Sequence, residues 1–237
     1  MEKEIMQPGA SINEQGRIQW LEKTLKKIPA NSRILDAGAG EQQFRKFCTH
    51  LDYISQDFAQ YKPEETGNGL QMPSWDYGKL DIVSDITSIP EPAGSFDAIM
   101  CTEVFEHIPD PISAIREFSR LLKPGGLLLI TAPFCSMTHF APYHFYSGFN
   151  RYFYEKHLSD QGFMIKELSP NGNYFDYVKQ EISRISGIAD VYNKQKPNLI
   201  ERRALAIIHK MLTKFSKKSN TSSELLNFGF HVFAQKK

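Results

Sequence analysis

The sequence predicts an α/β protein: a doubly wound, mostly parallel sheet in a Rossmann-like three-layer sandwich. Three observations carry that expectation. Short apolar runs alternate with stretches of helical periodicity. Four of those runs end at or near an acid, at Asp36, Asp57, Asp85 and Glu103. The 237 residues are enough for one such unit with a decoration or two.

The elements follow in order. Residues 1–16 are polar and read as an irregular lead-in. From Arg17 to Ile28, the apolar residues Ile18, Leu21, Leu25 and Ile28 recur at helical spacing, and Pro29 and Asn31 stop the helix. "RILDAG" reads as a buried strand and "EQQFRKFC" as the helix after it. "LDYISQD" is a second strand, and residues 60–78 form a loop rich in Pro, Gly and Asn. "KLDIVSDI" is a third strand and "FDAIMCTE" a fourth. Asp110 and Pro111 open a helix as N-cap and first-turn proline. Its apolar face is Ile112, Ile115, Phe118 and Leu122, and "KPGG" ends it. "LLLITAP" is a fifth strand, followed by an aromatic loop over 134–154. A short helix near 155–161, a strand near 163–168 and a helix over about 174–186 come next. Residues 190–222 look like an insertion, and "NFGFHVFAQ" is a closing strand. The expected organisation is a lead-in and helix (1–29), a core (30–170) and a C-terminal part (171–237).

Net charge is +1, so nothing global points to nucleic acid. Cys48, Cys101 and Cys135 are far apart and match no zinc or disulfide pattern, and no N-terminal run has the layout of a secretory leader. A cytoplasmic protein is expected. The apolar runs are too short to span a bilayer.

In doubly wound sheets, ligands bind outside the carboxyl ends of the strands. "DAGAGEQQF" sits at such an end. A dinucleotide fingerprint needs a third glycine, where this chain has Gln43. An acid before the turn also repels phosphate and suits an ammonium group. A cationic, phosphate-free ligand with an adenosine-like body therefore fits better. Asp57 lies 21 residues after Asp36, placed to take both ribose hydroxyls. Asp85 could accept from an exocyclic amine. Phe58 and Ile86 could sandwich a flat base. The plain alternative is a tight turn with solvated strand-end acids.

"ILDAGAG", "SQDF", "SDI", "FDAIMCTEVFEHIPDP" and "LLKPGG" resemble, in that order, class I S-adenosylmethionine-dependent methyltransferases. The resemblance covers roughly residues 30–170. It implies a seven-stranded sheet of order 3-2-1-4-5-7-6 with the last strand antiparallel. It also implies S-adenosylmethionine as cofactor and S-adenosylhomocysteine as product. Asp36, Ala37, Gly38 and Gly40 would lie under the methionine part. Asp57 and Phe58 would hold ribose and adenine, and Asp85 and Ile86 the adenine end. Thr102 and Glu103 would face the reacting centre.

Methyl transfer to a hydroxyl calls for a base, and two histidine settings offer one. In "EVFEHIPDP", Glu103, Glu106 and His107 share one face of a turn. The stretch is similar to ubiquinone-pathway O-methyltransferases, in which such a set holds a divalent ion. That likeness would make these three residues ligands. Many relatives share the stretch without a metal, and no metal is assigned. The second setting is "THFAPYHFYSGFNRYFYEKH", with His139 and His144 among aromatics that suit a sugar or a planar acceptor. His144 is the favoured base, with His139 and His107 the other candidates. His157 fits the short helix instead.

Residues 194–218 carry eight lysines and arginines with Glu201 the only acid. Ala204, Ile208, Met211, Leu212 and Phe215 form a stripe, expected to pack on the domain or on a second copy. A peripheral contact with an anionic membrane is the other reading. "LSPNGNYFDYVKQEISRIS" is similar to stretches of bacterial methyltransferases acting on glycans or small metabolites. The leading expectation is methyl transfer to a small acceptor, by a monomer or homodimer. A nicotinamide-dependent oxidoreductase and a non-catalytic cofactor-binding module are the alternatives.

Overall fold

The computed structural model describes residues 11–63 and 69–237. Residues 1–10 of the expected lead-in and 64–68 of the expected loop lie outside them. Among the described residues, seven strands form one sheet: β1 (Arg33–Ala37), β2 (Asp52–Asp57), β3 (Ile82–Val83), β4 (Phe96–Thr102), β5 (Leu122–Pro133), β6 (Phe163–Asn171) and β7 (Gly229–Lys236). Their order is β3-β2-β1-β4-β5-β7-β6. The β3-β2-β1-β4-β5 pairings are parallel, and β7 runs antiparallel to both β5 and β6. This is the predicted topology. It brings the carboxyl ends of β1, β2, β4, β5 and β6 to one rim.

Strand alternation explains the layering. Ile34, Ala98, Met100 and Leu129 point to one face, where helix α1 (Ile12–Leu25) buries Trp20, Leu21 and Leu25. Leu35, Ile99, Leu128 and Ile130 point to the other. There α2 (Pro111–Leu121) and α3 (Arg151–Asp160) cover them with Phe118, Ile115, Tyr154 and Leu158. Both faces are dry, so the central strands read as continuous apolar runs. Each large side chain buried here contributes about 1.5–3 kcal/mol.

Several boundaries differ from the sequence reading. Helix α1 begins ahead of Arg17, because Ser11 accepts the Glu14 N–H at 3.2 Å and caps it. The helix expected over 41–48 shrinks to a 3-10 turn, Arg45–Phe47. Its start is broken by Gln42, at φ 57°, whose side-chain amide donates to the carbonyls of Tyr77 and Lys79. The third strand keeps only two residues, because Asp81 turns to accept from the Ser55 N–H and hydroxyl. Asn150 caps α3 and starts it ahead of the helix expected near 155–161. The helix expected over about 174–186 forms as α4 (Tyr174–Ile188), and the insertion expected over 190–222 supplies α5 (Leu199–Ser216), which pairs with α4 after a π-helical turn at Ala189–Asn193. Of the stripe expected to pack inward on α5, Leu212 alone is buried. Asp110 and Pro111 do open α2, with Asp110 accepting the Ser113 N–H at 2.9 Å.

Candidate active site

The rim is built first by the glycine loop after β1. Gly38 (φ 76°) and Gly40 (φ 51°) occupy left-handed conformations. A Cβ on Gly38 would fall 2.5 Å from Val104 Cγ2, and one on Gly40 2.8 Å from the Trp75 ring. The main chain therefore approaches its neighbours as only glycine allows. The loop is tied to β2: Gln56 O accepts the N–H groups of Gly38 and Ala39 at 2.9 and 2.8 Å.

Asp57, at the end of β2, is buried. Its Oδ2 accepts the Gly40 N–H at 2.9 Å, and its Oδ1 the Ala59 N–H at 3.0 Å. Burial raises its pKa, and these amides pull it back. Asp36 is 2% exposed, and Tyr53 donates to its Oδ2 at 2.5 Å. Burial pushes its pKa up to about 7, and the charge of Asp57 adds to the effect. Ala37 is buried at the strand end. Asp85 is exposed and accepts from the backbone and hydroxyl of Thr87, while neighbouring Ile86 is buried. Phe58 meets Tyr143 edge-on at 4.9 Å. The Thr102 hydroxyl is buried without a partner. Glu103 sits at φ 54° and pairs with Arg17 of α1 at 2.9 Å. That ion pair turns Glu103 away from the ligand set which the resemblance would give it.

The two histidine settings of the sequence become one cluster. The His107 and His139 rings meet at 4.6 Å, His139 and His144 at 4.9 Å, and His107 and His144 at 6.1 Å. Glu106 lies beside the first two: its Oε1 is 3.6 Å from His107 Nε2 and 3.9 Å from His139 Nε2. Its Oε2 is buried with no partner. Burial, reinforced by the charge of Glu103, raises the Glu106 pKa well above the usual carboxylate range. His107 Nδ1 lies 2.6 Å from Tyr143 O, and His139 Nδ1 2.8 Å from Met137 O. A carbonyl only accepts, so both Nδ1 atoms carry the proton, and both Nε2 lone pairs face Glu106. Burial, with His139 beside it, pushes the His107 pKa down to about 3.

Glu106, His107 and His139 present one ligand atom each, all within 4.8 Å of one another. Two neutral imidazoles oriented by backbone carbonyls, beside an orphaned carboxylate oxygen, match the donor chemistry of a divalent cation. His144 is the least buried of the three histidines. The Ser136 hydroxyl donates to Ser147 O at 3.0 Å, so at 3.2 Å it accepts from His144 Nε2–H. The His144 Nδ1 lone pair is thereby left for a proton.

Sequence reasoning missed the cover over this rim. Leu70 pairs with His139, through Leu70 N–H to Thr138 O at 3.0 Å and Phe140 N–H to Leu70 O at 3.1 Å. Phe140 then packs against Tyr61, Trp75 and His107, at 4.5, 5.0 and 5.0 Å. The signal was "SWDY", aromatic residues inside a stretch read only as a polar loop.

The comparisons with known proteins agree with the fold. The methyltransferase domain family matches residues 13–165. A ubiquinone biosynthesis O-methyltransferase of Xanthomonas axonopodis pv. citri is 36% identical over 110 residues, 44% of each chain. The aligned part thus spans less than half the length of that relative. A SAM-dependent methyltransferase from Archaeoglobus fulgidus shares the fold, at TM-score 0.54 and 15% identity over 94% of this chain and 97% of that one. So does Haemonchus contortus phosphoethanolamine N-methyltransferase 2, solved with phosphomonomethylethanolamine and S-adenosylhomocysteine, at TM-score 0.52 and 17% identity. That match covers 93% of this chain and 52% of the other. With a glycine-loop rim, the strand order of the fold and a family match over most of the core, the chain belongs to the methyltransferase domain family, with the fold of the class I S-adenosylmethionine-dependent enzymes.

Proposed function

We propose that the protein transfers the methyl group of S-adenosylmethionine to a hydroxyl oxygen of a small acceptor, a sugar or another metabolite. The observation that carries this reading is the convergence of His107, His139 and His144 beside the glycine-loop rim, with His144 Nδ1 free to take a proton. In the proposed binding mode, Gly38 and Gly40 give the cofactor's methionine part its close approach, with Asp36 below. Asp57 takes the ribose, Phe58 and Ile86 flank the base, and Asp85 stands at its amine. Thr102 and Glu103 border the reacting end.

The acceptor hydroxyl attacks the methyl carbon in line with the sulfonium. Its proton passes to His144 Nδ1 as the new C–O bond forms. The C–S bond breaks, and its electron pair stays on sulfur as the neutral thioether. Alignment by the cover and rim supplies several kcal/mol of barrier lowering, about 7–11 in the best-oriented cases. The base adds about 10²–10⁴-fold. Glu106, His107 and His139 are the residues that would hold a divalent cation. When bound, such an ion supplies Lewis-acid polarisation of the acceptor oxygen.

The test is turnover of methyl-labelled S-adenosylmethionine against a panel of hydroxylated sugars and phenols, with products identified by mass spectrometry. Label transferred to oxygen supports the reading. Label transferred to nitrogen or carbon alone, or no transfer with cofactor bound, rejects it.

A further inference from the structure

We infer that the outer face of α5 lies on an anionic lipid bilayer. The helix has two sides with different surroundings. Its inner side packs on α4: Phe215 meets Phe175 at 5.5 Å, His209 and Ser183 share a hydrogen bond at 2.7 Å, and Ser216 donates to Asp176 at 2.7 Å. Leu212 is buried on that same side.

A second side, about a quarter turn round from the α4 contact, carries Ile200, Ala204, Ile207 and Met211, which helical spacing places in one stripe. Ile200 is 77% exposed, Ile207 69% and Met211 44%. A stripe this apolar, rimmed by charge, marks an interaction surface. Along one edge run Arg203, Lys210, Lys214 and Lys217, again at helical spacing. The single acid of the helix, Glu201, is turned back to its own N-terminus, where its Oε2 accepts the Asn198 N–H at 2.7 Å.

Charge decides the occupant. A second α5 laid antiparallel, stripe to stripe, would bring its own cationic row against the first, with no acid to offset it. An anionic bilayer matches both features: headgroup charge for the row and the headgroup–acyl boundary for the stripe. Among the described residues no helix is long and apolar enough to cross a membrane, so the contact is parallel to the surface. The inference goes beyond the methyl-transfer reading and does not depend on the acceptor.

The experiment is sedimentation of the full chain with vesicles of phosphatidylglycerol and phosphatidylcholine, and with phosphatidylcholine alone. Binding to the anionic vesicles is expected, weakening as salt rises. The variant Lys210→Gln/Lys214→Gln should lose roughly thirty-fold in affinity, since each basic group near such a surface contributes about one factor of five. Ile207→Glu should lose at least as much, and because Ile207 points outward its melting temperature should not change. Equal sedimentation with both vesicle types, or unchanged binding by both variants, would overturn the inference. So would a dimer in analytical ultracentrifugation that Ile207→Glu splits, because the face would then belong to a second copy.

Discussion

His107 and His139, separated by 32 positions in sequence, meet ring edge to ring face at 4.6 Å, with both Nε2 atoms turned to Glu106. A turn after β4 and a loop after β5 thus form one donor set. If that set binds a divalent cation, calorimetric titration with Mn²⁺ or Zn²⁺ will show one site per chain. His139→Ala should weaken it by about 10–100-fold, the effect of losing a ligand or its support. Glu103→Gln should leave it unchanged, because Glu103 is paired with Arg17.

His144→Ala is expected to reduce turnover by roughly 10²–10⁴-fold while the dissociation constant for S-adenosylmethionine stays within error. Steady-state kinetics and calorimetry on the same preparation separate the two effects. Equal activity of the variant would move the base elsewhere in the cluster.

Asp57→Ala should weaken cofactor binding by about ten- to a hundred-fold, the worth of a hydrogen bond to a charged group. The variant also leaves the Gly40 N–H without its acceptor, so a small drop in melting temperature should accompany it.

Gly38→Ala should destabilise the fold by about 2–5 kcal/mol, combining a left-handed alanine with overlap at Val104. The double variant Gly38→Ala/Val104→Ala relieves the overlap but not the backbone cost. Thermal melting should therefore place it between the single variant and the parent.

The share of stability that Asp36 contributes should fall as pH rises from about 4 to about 7, while buried His107 and His231, pushed down to about 3 and about 4, act in the opposite sense. Asp36 keeps its proton in the folded chain up to about 7 but loses it near 3.8 when unfolded. Its favourable term is thus fully present below the unfolded value and lost as pH climbs through the folded one. Asp36→Asn should remove that share, so the stability of the parent relative to the variant should decline across the range in melting curves.

The core strands were legible because both faces of the sheet are dry: "ILDA" and "DAIMCT" announce themselves as continuous apolar runs. The rim acids followed from where those runs stop. The helix expected over 41–48 was not legible, since its periodicity is real and a single left-handed residue, Gln42, cancels it. Glu106 was named only as an analogue of a ligand. Its contact with His139 depends on long-range backbone pairings, Phe145 N–H to Glu106 O at 2.8 Å and Leu70 with His139, that leave no periodic trace. The stripe expected on α5 packs inward only in part, with Leu212 buried and Phe215 against Phe175 while Met211 stays exposed, because spacing defines a face without saying how far round it a neighbour reaches.

The pairing of Leu70 with His139 couples two events that chemistry would otherwise keep apart. In the proposed binding mode the segment of Leu70 would roof the nucleotide side while that of His139 belongs to the histidine cluster, so parting them to release the thioether would also disturb the cluster. On that reading each cycle would reassemble the cluster after a fresh methyl donor enters. A methyl donor held under the closed roof would then meet its acceptor rather than bulk solvent.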